Sequence, residues 1–237
     1  MVTILVISDV HANLEALYAV FDACSRERIT YDVILNLGDL VGYGADPNAV
    51  VEHMRKRKVE VRSVLGNHDY AAITGDVSGF NPHAAEAALW TRGMLSEENK
   101  RFLTRLPVKD NVTIGRRRIC IVHGSPADPL NEYVFPNAAQ STLEAYLQSS
   151  QCDMLLLGHT HVGFQVKVRS GGVVLNPGSV GQPRDGDPAA SFVILTEERD
   201  SLRIEVRRIG YDVNAAAEKI ISAGLPTVLG MRLFEGW

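Results

Sequence analysis

Cysteine is scarce in this chain of 237 residues: three occur, at positions 24, 120 and 152, and none belongs to a C-x-x-C pair. Neither a disulfide framework nor a thiolate zinc site can be read from such spacing. All three lie in apolar or helical surroundings and read as small buried residues. Long apolar runs are also missing, and none approaches the ~20 residues that a membrane-spanning helix needs. The opening run from Met1 to Ser8 is too short for the core of a signal peptide and lacks a basic flank and a cleavage site. The expected location is therefore the cytoplasm, with no membrane partner, and the Asn111-Val112-Thr113 sequon is a chance match. Positive charge is not in excess either. The chain has 24 Lys and Arg against 28 Asp and Glu, a net of −4, which leaves no footprint for general nucleic-acid binding. The basic run Arg55-Lys56-Arg57-Lys58 reads as a solvated helix end.

What is present suits one sizeable core. Hydrophobic residues make up 46% of the chain, and no repeat, linker or low-complexity stretch divides it. The expected organisation is a single domain over 1–237 with a helical insert near 71–106. Thr3 to Ile7, Val33 to Leu37 and Val59 to Leu65 read as buried strands. Helices opened by Asn13 and by Asp46-Pro47 alternate with them, the pattern of a parallel sheet. In the insert, Pro82 and Ser96 open helices. A hairpin follows around Gly115-Arg116-Arg117, then a helix at Thr142 to Leu147 and a buried strand at Met154 to Leu157. The runs 163–168, 173–175, 192–196 and 202–209 read as mainly antiparallel strands. Asp212 caps a last helix, and the segment from Thr227 to Trp237 has no clear assignment. Two sheets are expected in all.

The strongest signal lies where the buried strands stop. They hand over to Ser8-Asp9-Val10-His11, to Gly38-Asp39, to Gly66-Asn67-His68-Asp69, to His123-Gly124 and to Gly158-His159-Thr160-His161. Ligands of open α/β sheets sit outside the carboxyl ends of strands, so these segments aim oxygen and nitrogen donors at one edge. Taken singly, Asp9 reads equally well as a helix cap, and His123 as a structural histidine. Taken together, five of the chain's seven histidines fall in this set. Asp and His without Cys suit manganese, iron, zinc or similar ions. Seven candidate ligands exceed what one ion with an open position needs, and two ions sharing a carboxylate account for them better. Such pairs serve in-line displacement at phosphorus.

This ordered set resembles the calcineurin-like metallophosphoesterases, and within them small prokaryotic phosphodiesterases labelled as related to diadenosine tetraphosphatases. The segment Asn176-Pro177-Gly178-Ser179-Val180-Gly181-Gln182-Pro183-Arg184 strengthens the narrower likeness. The resemblance implies a four-layer α/β/β/α sandwich with a dinuclear site at one edge of its two sheets. It implies that Asp9, His11 and His161 hold one divalent metal ion, that Asn67, His123 and His159 hold the other, and that Asp39 bridges them. Manganese is the first expectation, with iron, zinc or nickel as alternatives. The implied activity is hydrolysis of a small phosphodiester or phosphomonoester, nucleotide-like or otherwise, by a hydroxide bridging the ions. His68 would protonate the leaving oxygen or stabilise charge on the phosphoryl group, with Asn67 also facing substrate. Asp69 would orient His68 or simply cap its helix. A catalytically silent interaction scaffold on the same fold is the alternative.

Two departures narrow the substrate. The protein phosphatases of this superfamily follow the bridging Asp with a further Asp and an Arg, and Gly38-Asp39-Leu40-Val41-Gly42 has neither. The lipid A pathway hydrolases carry Arg where His68 stands. Beyond the metal ligands, Arg184 suits a second phosphate contact, its guanidinium matching phosphate geometry; an exposed loop arginine is the alternative. His83 and Asn81 are pocket candidates at the start of the insert, against a surface role and a helix cap. Tyr43 is placed to stack on a substrate ring, against core packing.

Overall fold

In the computed structural model, which describes residues 1–198 and 201–237, the amino-terminal apolar run forms β1 (Val2–Ile7). Ile4 and Val6 point into one apolar layer, Leu5 and Ile7 into another. A strand buried on both faces belongs inside a sheet, and β1 lies at the centre of five. β2 (Val33–Asn36) and β3 (Glu60–Ser63) extend the sheet in parallel on one side. On the other side, β9 (Ala190–Glu198) and β10 (Ser201–Ile209) are antiparallel, giving the order β10-β9-β1-β2-β3.

The crossovers of this sheet are α1 (Leu14–Arg26) and α2 (Pro47–Arg55). Asn13 caps α1 as expected, its Oδ1 accepting from the Ala16 amide at 3.0 Å. Asp46 does not cap α2. Its carboxylate accepts instead from Lys219 Nζ at 2.7 Å, while Pro47 supplies the preformed first turn. Leu17, Val20 and Phe21 of α1 and Val50, Val51 and Met54 of α2 cover one face of the sheet with Leu5, Ile7 and Ile34.

After β3 come α3 (Asn67–Thr74), α4 (Pro82–Met94) and α5 (Glu97–Thr104). Asn81 and Ser96 cap the latter two through the Ala84 and Asn99 amides. The second sheet has the order β4-β5-β6-β8-β7. β4 (Lys109–Ile114) and β5 (Arg117–Val122) form the expected hairpin, and β6 (Met154–Leu156) runs parallel to β5. The helix between them, α6 (Gln140–Ser150), packs Leu143 and Leu147 on the outer face with Cys120 and Val174.

The expectation of an antiparallel run after β6 holds only in part. β7 (Phe164–Lys167) pairs antiparallel with β8 (Val173–Asn176), but β8 pairs in parallel with β6. Burial explains the order. β7 alternates, with Gln165 and Lys167 exposed, and suits an edge; Val174 and Leu175 are fully buried and take the inner position. The chain then crosses to the first sheet to form β9.

The two sheets pack face to face through Ile4, Val6, Leu35, Val193 and Leu195 from one and Ile119, Ile121, Leu156 and Leu175 from the other. Helices on both outer faces complete four layers. The unassigned segment is helical. α7 (Val213–Ser222) is capped by Asp212, and α8 (Thr227–Glu235) packs Leu229 and Leu233 with Ile220 against Tyr43 and Ala87. No helix among the described residues is long and apolar enough to cross a membrane.

Candidate active site

The carboxyl ends of β1, β2, β3, β5, β6 and β8 open on one edge of the sandwich, and the polar strand endings meet there. Main-chain bonds tie the loops together: the amides of Asp9, His11 and Ala12 donate to the carbonyls of Gly38, Asp39 and Leu40, and the Gly158 amide to His123. Among the described residues, nine other than glycine have positive φ, and seven of them are Asp9, His11, Ala12, Asp39, Tyr43, His159 and His161. Such backbone is costly for residues with a Cβ, so the strain is concentrated at this edge, as it is at functional sites.

Three overlapping groups of donor atoms result: Asp9, His11 and His161; His11, Asp39 and His68; and Asp39, His123 and His159. His161 Nε2 lies 3.2 Å from Asp9 Oδ1 and 3.0 Å from His11 Nε2. His123 Nε2 lies 3.2 Å from Asp39 Oδ2 and 3.0 Å from Asn67 Oδ1. His11 Nε2 stands between the carboxylates, 3.7 Å from Asp9 Oδ1 and 3.6 Å from Asp39 Oδ2.

Each carboxylate is anchored by one oxygen and free by the other. Asp9 Oδ2 accepts from Ser8 Oγ at 2.5 Å and from the His159 amide at 3.2 Å. Asp39 Oδ1 accepts from the His68 amide at 2.9 Å. The inward oxygens, Asp9 Oδ1 and Asp39 Oδ2, are buried without a hydrogen-bond partner. The imidazoles are anchored from behind in the same way. Nδ1 of His11, His123 and His161 donates to the carbonyls of Val41 (3.2 Å), Leu37 (2.8 Å) and Gln182 (2.5 Å), so Nε2 is the inward-facing nitrogen of each ring. His159 is turned round: Nε2 donates to the Asn131 carbonyl at 3.2 Å, which leaves Nδ1 as its free ring nitrogen.

These residues fit divalent cations. Orphaned buried anions and lone pairs fixed by second-sphere carbonyls cost stability unless a cation fills the space between them. The electrostatics agree. Burial pushes His159 and His161 down to about 4 and about 3, with His123 and Arg184 adding to it, so both rings are neutral. His123 differs: burial opposes its charge, but Asp39, Asp9 and the Leu37 carbonyl together outweigh burial and raise it to about 9. A cation held there would take the place of that proton.

His68 lies beside this cluster with its ring held among aromatic neighbours, Tyr43 at 4.3 Å, Phe80 at 4.5 Å and His11 at 4.9 Å between centroids. Burial holds it well below the ordinary histidine range. Of the two roles considered for Asp69, the structure shows the cap. Its oxygens accept from the Val41 amide (3.0 Å) and the Gly66 amide (3.2 Å), and none bonds to His68. Burial, then Asp39, raises this carboxyl to about 7. A cavity of about 510 Å³ opens in front, lined among others by Tyr43, Asn67, His68, Phe80, Tyr133 and His159.

Calcineurin-like phosphoesterase superfamily sequences match residues 2–200 of the chain. The chain belongs to that superfamily. The protein MJ0912 of Methanocaldococcus jannaschii is 38% identical over 250 residues, 98% of each chain. Phosphodiesterase YfcE of Escherichia coli K12 is 27% identical over 80% of this chain and 85% of its own. The crystal structure of a metallophosphoesterase from Sphaerobacter thermophilus covers 100% of this chain and 99% of its own, with 37% identity and a TM-score of 0.80. The four-layer arrangement with two five-stranded sheets is the one this family resemblance implies.

The remaining expected residues divide. Tyr43 is buried, with its ring packed on His11 and His68, and also lines the cavity. Arg184 is half-buried over Tyr43, its Nη2 donating to Tyr43 Oη at 3.2 Å. Asn81 lines the cavity while capping α4; His83 is exposed and lies outside the lining. The 176–184 segment buttresses the ligands. Asn176 Nδ2 donates to the Gly158 carbonyl (2.7 Å) and Thr160 Oγ1 (3.0 Å), and Ser179 Oγ to the Asp9 carbonyl (2.8 Å). Tyr133 and Phe80 escaped the sequence reading. Tyr133 stacks on His159 at 3.9 Å and 22°. Neither aromatic lies in a motif, and only the folded loops bring them to the site.

Proposed function

We propose that this protein is a dinuclear metal-dependent hydrolase of phosphoesters, with a phosphodiester as the preferred class and manganese as the preferred ion. The observation that carries this reading is the pair of orphaned carboxylate oxygens facing fixed imidazole lone pairs, one wall away from His68 and an open cavity. In this reading Asp9, His11 and His161 hold one cation, Asn67, His123 and His159 the other, and Asp39 is shared. Two such cations supply Lewis-acid polarisation of the phosphoryl group and an activated water at neutral pH.

The chain's own residues do the rest. His68 is kept neutral by burial, so it acts as a hydrogen-bond donor to the leaving oxygen rather than as a standing positive charge. Its Nδ1 is packed against Gly42 and buried without a partner, so Nε2 is the nitrogen assigned to the donor role. Asp39 couples the two functions, because the oxygen that does not face the cations accepts from the His68 amide. Phe80 and Tyr133 give the leaving group apolar walls and narrow the access of water. A small phosphoester, rather than nucleic acid in general, is the expected substrate, and the cytoplasm the expected location.

Hydrolysis of bis(p-nitrophenyl) phosphate and p-nitrophenyl phosphate by manganese-loaded protein tests this. Wild type is expected to turn over the diester faster. His68→Ala is expected to keep its metal and lose about 10²–10³-fold in rate, the cost of one charge-stabilising donor. Asp39→Asn is expected to lose metal as well. No turnover by wild type with any divalent ion, or rates unchanged in both variants, overturns the reading and leaves the scaffold alternative.

A further inference from the structure

The Tyr43 ring meets the metal-side histidines His11 and His68, and it also gathers two guanidinium groups from elsewhere in the chain. Arg184 Cζ stands 5.7 Å from the ring centroid and Arg232 Cζ 6.0 Å. Arg184 comes from the loop after β8, and Arg232 from α8. Arg184 Nη2 donates to Tyr43 Oη and to Gln182 Oε1 (3.0 Å), while its Nε is buried with no partner. Arg232 Nε donates to the Trp237 main-chain oxygen at 2.6 Å, with its Cζ 5.0 Å from the Trp237 ring.

Among the described residues, neither guanidinium lies within ion-pair distance of an aspartate or glutamate side chain; Arg232 commits its Nε to the Trp237 oxygen, and Arg184 has only the neutral partners Tyr43 and Gln182. Nearby Arg208, by contrast, pairs with both Asp185 and Asp187. Two half-buried cations on one ring disfavour each other. Burial, then the charge of Arg184, lowers the hold of Arg232 on its proton. Such a pair is costly alone and favourable around an anion, and guanidinium groups match phosphate oxygens in geometry and charge. The pair also borders the site. The Arg184 amide donates to the His161 carbonyl at 3.2 Å, and its guanidinium to Tyr43, whose ring meets His11 and His68.

We propose that Arg184 and Arg232 form an anion subsite around Tyr43, next to the metal centre, that takes a second phosphoryl group of the substrate. The proposal rests on the phosphoesterase reading and deepens it: the substrate is a phosphoester carrying a second phosphate beyond the one that is cleaved. Arg232 acts in binding, and it is the residue through which α8 contributes to the site.

Two measurements test it. The first needs no turnover: calorimetric titration of inorganic pyrophosphate and orthophosphate into EDTA-treated protein. Wild type is expected to bind pyrophosphate the more tightly. Arg184→Gln and Arg232→Gln are each expected to weaken it by about tenfold or more, the loss of a charge-assisted contact. Arg232→Lys, which keeps the charge, is expected to recover part of the loss, and melting curves check that every variant is folded. The second compares thymidine 5′-(p-nitrophenyl phosphate) with the same ester bearing a 3′-phosphate, using the manganese-loaded enzyme. Wild type is expected to favour the bisphosphate about tenfold in kcat/KM, through KM, and Arg232→Gln to remove the preference.

Pyrophosphate binding that is absent in wild type, or equal in wild type and Arg232→Gln, overturns the subsite. If wild type hydrolyses both esters equally and its pyrophosphate binding ignores Arg232, the subsite fails and the hydrolase reading stands. If wild type hydrolyses neither ester, the hydrolase reading fails, and the titration alone decides the subsite.

Discussion

Gly66→Ala isolates the close packing on which the proposed metal centre depends. Gly66 has φ −94° and ψ 170°, ordinary extended backbone, so alanine meets no conformational objection there. Space is the only obstacle. An added Cβ would lie 2.6 Å from Asp39 Cγ and closer still to Asp39 Oδ1 and the Asp39 main-chain nitrogen. Carbon atoms rest about 3.5–4.0 Å apart, so something must move by about 1 Å. The neighbours are not soft: Asp39 sits at φ 55° with Oδ1 fixed by the His68 amide, and the Gly66 amide is held by Asp69. Overpacking of this kind costs about 1–3 kcal/mol. At about 2–4 °C per kcal/mol for a chain of this size, the melting temperature should fall by about 2–12 °C. The larger effect should be functional, because about 1 Å of displacement at a reacting centre costs on the order of 10²-fold in rate. Melting curves in EDTA and in manganese read both terms. Wild type should gain about 2.7 kcal/mol from each site at 100 times its Kd, and the variant should lose that gain. Gly93→Ala is the control: nothing lies within 4 Å of its Cβ, and the melting temperature should hold or rise slightly. A Gly66→Ala protein that binds metal normally and reacts within a few-fold of wild type would refute the reasoning.

Two further predictions concern other parts of the chain. His53 packs against Tyr18 and Phe21, and burial, then Arg57, pushes it down to about 4. Between pH 6.5 and 4 the unfolded chain takes up a proton there that the folded chain refuses, so folding stability drops across that window as the pH falls. Urea unfolding of His53→Gln should show a smaller drop than wild type over the same window; parallel curves would sink the assignment. Asn176→Ala should cost about 2–4 kcal/mol, because the Gly158 carbonyl and Gly178 amide lose buried partners. It should weaken manganese binding through the His159–His161 loop without touching a ligand; unchanged affinity in a metal titration would count against the buttress.

The convergence of the candidate donors was legible in the sequence because the fold places them by a rule that needs no distances. Each follows a short buried strand, and parallel pairing brings the carboxyl ends of such strands to one edge. Asp9, Asp39 and Asn67 therefore meet as soon as β1, β2 and β3 are read as neighbours. The 176–184 segment was visible as a motif but not as a mechanism. Its role depends on Asn176, Ser179 and Gln182 reaching back to loops more than fifteen residues away, which no local pattern encodes. The parallel pairing of β6 with β8 was hidden for a related reason. Two strands joined by a short connection suggest a hairpin, and only the deeper burial of Val174 and Leu175 moves β7 to the edge.

The residues that escaped altogether share a physical cause. Phe80, Tyr133 and Arg232 lie in a loop, a second loop and the last helix, where neither periodicity nor spacing marks a side chain as facing the cavity or an anion. Their positions are set by what they pack on: Phe80 on His68, Tyr133 on His159, Arg232 on Tyr43. Each rests on a residue that the strand endings deliver or that follows directly from one. The centre is thus built in two tiers with different constraints. In the proposed reaction the inner donors would have to satisfy cations whose demands scarcely vary, while the outer aromatic and guanidinium groups could change with the molecule being cleaved. Substrate choice should therefore follow the outer tier, and substitutions at Phe80, Tyr133 and Arg232 should alter KM and substrate ranking more than metal content.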